Sequence, residues 1–164
     1  VGLLLGETPA LIAQGLVSYQ ASGMRQNIYE QDGYQIYADC YNASPDAMEA
    51  TLAVLGGMAK EGRRFVVLGS MLELGDYAEE GHRRAGRAAA QYADALYAYG
   101  PDAAAMVAGA REKGMEHAYA FDDQTALVAA LREDAKKGDA LLFKGSRGMR
   151  MEQALEMFFQ QEKK

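Results

Sequence analysis

Asp39-Cys40-Tyr41-Asn42-Ala43-Ser44-Pro45-Asp46-Ala47-Met48 compresses a strand end, a polar turn and a helix start into ten residues. An alternating run, Tyr34 to Cys40, leads into it, and a run of helical character, Ala47 to Lys60, leads away. Open α/β sheets bind ligands at the carboxyl ends of their parallel strands, where the following helix offers unpaired backbone N–H groups and the positive end of its dipole. Asp39 and Asn42 supply hydrogen-bonding side chains at that point, and Pro45 suits the first turn of a helix. A plainer reading stands beside this one: Asp39, Asn42 and Ser44 do no more than cap the helix.

Upstream, Gln26 to Glu30 and Tyr34 to Cys40 flank Gln31-Asp32-Gly33. Asp-Gly between alternating runs predicts a hairpin, because both residues tolerate the positive φ of a tight turn. Downstream, short apolar runs at Arg64 to Gly69, Ala95 to Tyr99, His117 to Phe121 and Ala140 to Lys144 alternate with helix-like stretches at Ala78 to Ala93, Asp102 to Lys113, Asp123 to Lys137 and Arg150 to Gln161. That alternation predicts the α/β class: an open, mostly parallel, Rossmann-like sheet with helices on both faces and an antiparallel hairpin at its N-terminal side. Thr8-Pro9 and Ala10 to Gln20 predict a short helix, and Ala21-Ser22-Gly23 a joint. Residues 1–22 therefore read as the tail of a preceding domain with its linker, and residues 23–164 as one domain.

A chain of 164 residues is long enough for one domain with a real core. Seventeen basic and twenty-three acidic residues give a net charge of −6, which argues against a general binder of nucleic acid or anionic membrane. Cys40 is the sole cysteine, so no internal disulfide forms, a reducing cytoplasmic setting is expected, and the thiol reads as a small buried group. No apolar run is long enough to span a bilayer. The chain opens at Val1 rather than Met and is expected to be cut from a longer protein whose missing part lies upstream.

With this winding, the loops Asp39 to Pro45, Gly69 to Tyr77, Gly100 to Asp102, Asp122-Asp123 and Gly145 to Arg150 share one edge of the sheet. Glycines in Gly69-Ser70-Met71-Leu72-Glu73-Leu74-Gly75 let a ligand or another stretch of backbone come close. Lys144-Gly145-Ser146-Arg147-Gly148-Met149-Arg150 reads as an anion-friendly turn, with a solvated basic loop as its alternative. The chain has neither a G-x-x-x-x-G-K-[ST] loop nor a G-x-G-x-x-G fingerprint. His82 and His117 are too far apart to suggest a metal site, and His82, within Glu79-Glu80-Gly81-His82-Arg83-Arg84, is expected on a surface or half-buried helix.

Three of these motifs in register resemble the C-terminal domain of the UDP-N-acetylmuramoyl-tripeptide:D-alanyl-D-alanine ligase family, among the Mur ligases. They are Asp39 to Asp46, Val67 to Gly75 with His82 behind it, and Lys144 to Glu152. Gly23-Met24-Arg25 is similar to the arginine turn by which that domain joins the central one. The resemblance implies a cytoplasmic, monomeric peptidoglycan enzyme of three domains, with the P-loop and Mg²⁺ site in the central one. ATP would phosphorylate the tripeptide's terminal carboxylate, and the amine of D-alanyl-D-alanine would attack the acyl phosphate.

Carried onto this chain, the resemblance makes Arg25 the arginine that reaches the ATP phosphates, and places Asp39, Asn42 and Tyr41 against the nucleotide. The acceptor dipeptide falls to Gly100 and Asp102, with Ser146 and Arg147 suited to its carboxylate. No catalytic side chain and no metal ligand is assigned to the chain itself. Loss of Arg25 or Asp39 is expected to cut turnover far more than stability. The chain departs from the family at Ser70, where Asp is usual, and at Ala38, where a second acid is common. Two other classes stay open at this level: a free-standing, non-catalytic ligand-binding or interaction module with a ligase-like fold, and an ordinary α/β nucleotide-binding domain.

Overall fold

The computed structural model describes residues 2–17, 25–58 and 62–160. The predicted joint at Ala21-Ser22-Gly23 and the Gly23-Met24 half of the arginine turn lie outside them.

Asp32 (φ 52°) and Gly33 (φ 86°) take the two left-handed positions of the predicted turn, and the antiparallel register closes at Gln31 opposite Tyr34. This pairs β1 (Asn27–Gln31) with β2 (Tyr34–Asp39). The remaining strands are β3 (Arg64–Gly69), β4 (Ala95–Tyr99), β5 (Ala118–Phe121) and β6 (Ala140–Lys144). The helices are α1 (Pro9–Val17), α2 (Pro45–Gly56), α3 (Ala78–Tyr92), α4 (Ala103–Glu112), α5 (Gln124–Asp134) and α6 (Met151–Phe159). Strands β3, β4 and β6 hold their predicted bounds, whereas α2 and α5 fall clearly short of theirs. Helix α2 stops before Gly57 instead of running to Lys60, and α5 stops where Ala135 turns extended (ψ 140°).

The sheet order is β1-β2-β6-β3-β4-β5, parallel except for the hairpin. Alternate residues along each strand feed two cores, as the two-residue period of a pleated strand demands. Tyr37, Val66, Leu68, Leu96 and Leu142 pack with α2, α3 and α4 on one face. Ile36, Phe65, Val67, Tyr97, Leu141 and Phe143 pack with α5 and α6 on the other. The last strand thus enters between β2 and β3. It continues into α6 on the second face, while its neighbours continue into α2 and α3 on the first. The chain therefore diverges on both flanks of β6, and each divergence opens a crevice at the carboxyl edge.

On the first face α3 and α4 approach closely because two glycines allow it. A Cβ on Gly86 would stand 1.8 Å from the Met106 carbonyl oxygen, and one on Gly109 would stand 2.0 Å from that of Arg83. Outside this crossing, Arg84 forks onto Glu49 at 2.6 and 2.5 Å, and Arg83 and Arg87 share Glu112. These pairs are solvent-screened and contribute little beside the crossing itself.

Gly86→Ala and Gly109→Ala each add a helix-favouring methyl that has nowhere to go without separating α3 from α4. Each is expected to lower unfolding stability by about 2 kcal/mol or more, measured as a fall in the urea midpoint.

Candidate functional site

Asp39 ends β2, Lys144 ends β6, and the two are register partners. Both side chains share the face of Tyr37 and Leu142, under α2, and both are buried. Lys144 Nζ donates to Asp39 Oδ2 at 2.5 Å and to the Asn42 carbonyl oxygen at 2.9 Å. The Thr51 hydroxyl, reaching down from α2, donates to the same Oδ2 at 3.2 Å. Among the described residues, Asp39 Oδ1 meets only the backbone N–H of Gln26, at 3.4 Å.

The helix-capping alternative holds for Ser44 alone, whose hydroxyl accepts from the Ala47 N–H. Asn42 Oδ1 accepts from the neighbouring Ala43 N–H at 2.9 Å, which leaves the amide NH₂ as its donor. Arg25 lies with its guanidinium 4.4 Å over the half-exposed Tyr41 ring. A cleft of about 280 Å³ opens here, lined by Arg25, Gln26, Asp39, Asn42, Ala47 and Lys144. Arg25, Asp39, Tyr41 and Asn42 are thus brought together, on the β2 side of β6. A guanidinium, an amide donor, a carboxylate oxygen and an aromatic face fit a nucleotide, which carries phosphate oxygens, hydroxyls and a planar base.

The crevice on the β3 side of β6 differs. Ser146 Oγ accepts from the Leu72 N–H at 2.9 Å, and Ser70 Oγ accepts from the Asp102 N–H at 3.0 Å, so both hydroxyls tie loops together. A Cβ on Gly69, Gly100 or Gly145 would meet Met149 or Met151 within 3 Å. Those glycines admit other parts of the chain, and the two methionines fill the space. Gly100, Asp102 and Ser146 share this crevice, while Arg147 sits at its rim with Nη1 on Glu152 Oε1 at 2.7 Å. The anion-friendly turn is also narrower than its composition implied. Lys144 points inward to Asp39 and Arg147 faces Glu152, so Arg150 is the loop's cation without a carboxylate partner among the described residues.

His82 corrects the expectation of a surface or half-buried position: it is fully buried. The Met71 N–H donates to its Nε2 at 2.7 Å, and its Nδ1 contacts the Ala78 carbonyl oxygen at 2.6 Å. A carbonyl oxygen can only accept, so Nδ1 carries the proton, and the ring fastens the loop after β3 to α3. Asp102 Oδ2 stands 3.7 Å from Nε2. Ala38 faces the second core, so no acid is displaced from the site there. Cys40 is buried as expected. Its thiol donates to the Phe143 carbonyl oxygen, and burial, followed by the charges of Glu152 and Asp39, pushes its pKa up to about 12.

Lys144, Thr51 and Gln26 line or support the cleft without having been singled out as site residues from the sequence. On the other flank Glu152, which accepts from Arg147 through Oε1, has its Oε2 buried without a hydrogen-bond partner among the described residues. Also among the described residues, no group of three or more His, Cys, Asp or Glu is placed to hold a metal ion.

The family model described as "Mur ligase, glutamate ligase domain" matches residues 24–147. Over 155 residues, 93% of this chain, the sequence is 35% identical to the UDP-N-acetylmuramoyl-tripeptide–D-alanyl-D-alanine ligase of Bacillus subtilis (strain 168), covering 34% of that protein. Among solved structures, the fold matches the MurF ligase of Thermotoga maritima in complex with ADP at a TM-score of 0.79 and 32% identity, covering 96% of this chain and 35% of that one. It matches a MurF from Acinetobacter baumannii at 0.81 and 30%, with the same coverage. The chain therefore spans about a third of the length of these relatives.

Lys144→Met leaves a buried carboxylate unpaired and is expected to destabilise the fold by about 3–5 kcal/mol in urea unfolding; adding Asp39→Asn, which removes the orphaned charge, is expected to recover most of that. The same pairing corrects the expectation that Asp39→Ala would spare stability, since it strands Lys144.

Cys40 is expected to resist thiol reagents at pH 8 until the protein unfolds. Its native pKa is raised from 9.0, so the unfolded thiol ionises first. Its stabilising contribution is complete below about pH 9 and declines toward pH 12, which unfolding midpoints measured across that window would register.

Proposed function

The chain belongs to the Mur ligase family, as its glutamate ligase domain, and from that premise we propose that it is the closing, C-terminal domain of an ATP-dependent amide-bond ligase. The reaction is the addition of D-alanyl-D-alanine to UDP-N-acetylmuramoyl-tripeptide in peptidoglycan synthesis. The observation that carries this reading is the convergence of Arg25, Asp39, Tyr41 and Asn42 on one cleft beside β6, in a chain whose relatives are named for that reaction.

ATP supplies the phosphoryl group that activates the tripeptide carboxylate as an acyl phosphate. Arg25 offers a permanently charged fork to phosphate oxygens whose charge shifts during transfer. It lies on an exposed ring at the cleft mouth, from which it can swing toward a neighbouring domain. Asp39 Oδ1 and the Asn42 amide meet the nucleotide from this side, with Tyr41 packing beside them. The acceptor dipeptide lies over the filled crevice on the β3 side of β6, against the loops that carry Gly100, Asp102 and Ser146, rather than inside it. Arg147 retains Nε and Nη2 for the dipeptide carboxylate while Nη1 holds Glu152.

In this reading residues 23–164 are the closing domain and residues 1–22 the tail of the one before it. The phosphate-cradling loop and the Mg²⁺ ligands belong mainly to that preceding domain, and the enzyme is a cytoplasmic monomer with no nucleic-acid or membrane partner. Among the described residues no helix is long and apolar enough to cross a membrane.

The reading frame upstream of Val1 is expected to encode a G-x-x-G-K-[ST] loop; a natural start near Val1 would favour the non-catalytic module. The isolated chain is expected to show no Mg²⁺-dependent ATP hydrolysis and to bind ATP weakly in calorimetry. In the full-length enzyme Arg25→Ala is expected to lower kcat/KM by about 100-fold while shifting stability by no more than about 1 kcal/mol. A near-normal rate for that variant would remove Arg25 from the site.

A further inference from the structure

We propose that Lys144 is a positioning residue for the nucleotide-facing cleft: its ammonium sets the orientation of Asp39 and the shape of the Asp39–Asn42 turn. The inference rests on the proposed function and deepens it. Lys144 does not need to touch the ligand. Both of its acceptors, Asp39 Oδ2 and the Asn42 carbonyl, belong to the one turn whose side chains line the cleft, and neither lies in the apolar core. With Thr51 donating to the same Oδ2, the carboxylate has one oxygen saturated from below, while Oδ1 keeps, among the described residues, a single long contact to the Gln26 N–H. The carboxylate is therefore held by one oxygen, and the other is left as the acceptor that lines the cleft.

Stability alone does not account for such a pair. Taking two charges out of water offsets most of their attraction, and an apolar pair of similar volume holds two strands as well. A fixed ammonium does what an apolar pair cannot. It pins a carboxylate in one rotamer and a backbone carbonyl in one direction, so Tyr41, between the two anchored residues, is constrained along with them. The anchoring is also indifferent to the acceptor side of β6, where Ser70, Ser146 and the two methionines organise the loops independently.

The test uses the full-length ligase with Lys144→Met, Asp39→Asn and the double variant, reading KM separately for ATP, the UDP-tripeptide and D-alanyl-D-alanine. Lys144→Met is expected to raise the ATP KM roughly tenfold or more, as loss of a supporting hydrogen-bond partner does at other sites, with the other two constants within about twofold. Because Lys144 acts through Asp39, the double variant is expected to match Asp39→Asn alone. An unchanged ATP KM in folded Lys144→Met, or a double variant with additive losses, would overturn the inference. If the single variant fails to fold, the comparison of the double variant with Asp39→Asn decides.

A wild-type enzyme without ATP-dependent ligation would instead sink the proposed function. The positioning claim is then settled by a crystal structure of this 164-residue chain carrying Lys144→Met or, should that not fold, the double change. Residue 39 is expected to leave the Thr51 hydroxyl and the Asn42 carbonyl to turn away. An unmoved turn would refute the claim.

Discussion

A single ammonium–carboxylate contact under α2 sets the terms for this fold. Asp39 and Lys144 lie 105 residues apart, yet they end adjacent strands in register and face the same side of the sheet. A charge pair withdrawn from water has to be completed by further hydrogen bonds. The Asn42 carbonyl and the Thr51 hydroxyl supply them, which binds the polar turn and the middle of α2 to the end of β6. The first parallel strand, its helix and the last strand thus share one buried junction.

The two flanks of β6 show how packing decides where a ligand can go. Both are points at which the chain diverges, so the topology offers two crevices. On the β3 flank, Gly69, Gly100 and Gly145 let the strand ends approach, and Met149 and Met151 fill what remains. On the β2 flank Arg25 and Gln26 border the polar turn, and the cleft stays open beside the buried pair. Side chains that do similar hydrogen-bonding work therefore have opposite exposure: Ser146 is closed in by loops, while Asn42 and Arg25 face solvent.

Much of this architecture is legible in the sequence because it is local. Asp32-Gly33 specifies its turn through two positive φ angles, and three strands stand out as short apolar runs between helices. The insertion of β6 between β2 and β3 is not local, since nothing near Ala140 indicates which strands it will join. The direction of Lys144 is hidden for the same reason. Its sequence neighbours Gly145 to Arg150 suggest an anion-friendly basic turn, whereas its side chain belongs with the alternate strand positions Ala140 and Leu142. His82 carried a usable signal that its charged neighbours hid: His82, Ala85 and Ala89 recur at helical spacing and form the buried stripe of α3. Asp39 and Asn42 are legible as candidates from their strand-end turn, whereas Arg25 and Tyr41 enter only through the family resemblance. Their supporting residues, Thr51 and Lys144, come from separate elements.

The late arrival of β6 has a consequence for biosynthesis. A nascent chain emerging from the ribosome makes β2 and its turn long before residue 144 exists, and until then β2 and β3 each present a bare edge where β6 will sit. Those edges invite strand addition from neighbouring polypeptides, and contacts this distant in sequence form slowly. The half-site beside Asp39 therefore takes shape only after nearly the whole domain has been synthesised, so a product truncated before the final strand would retain the hairpin but never the cleft.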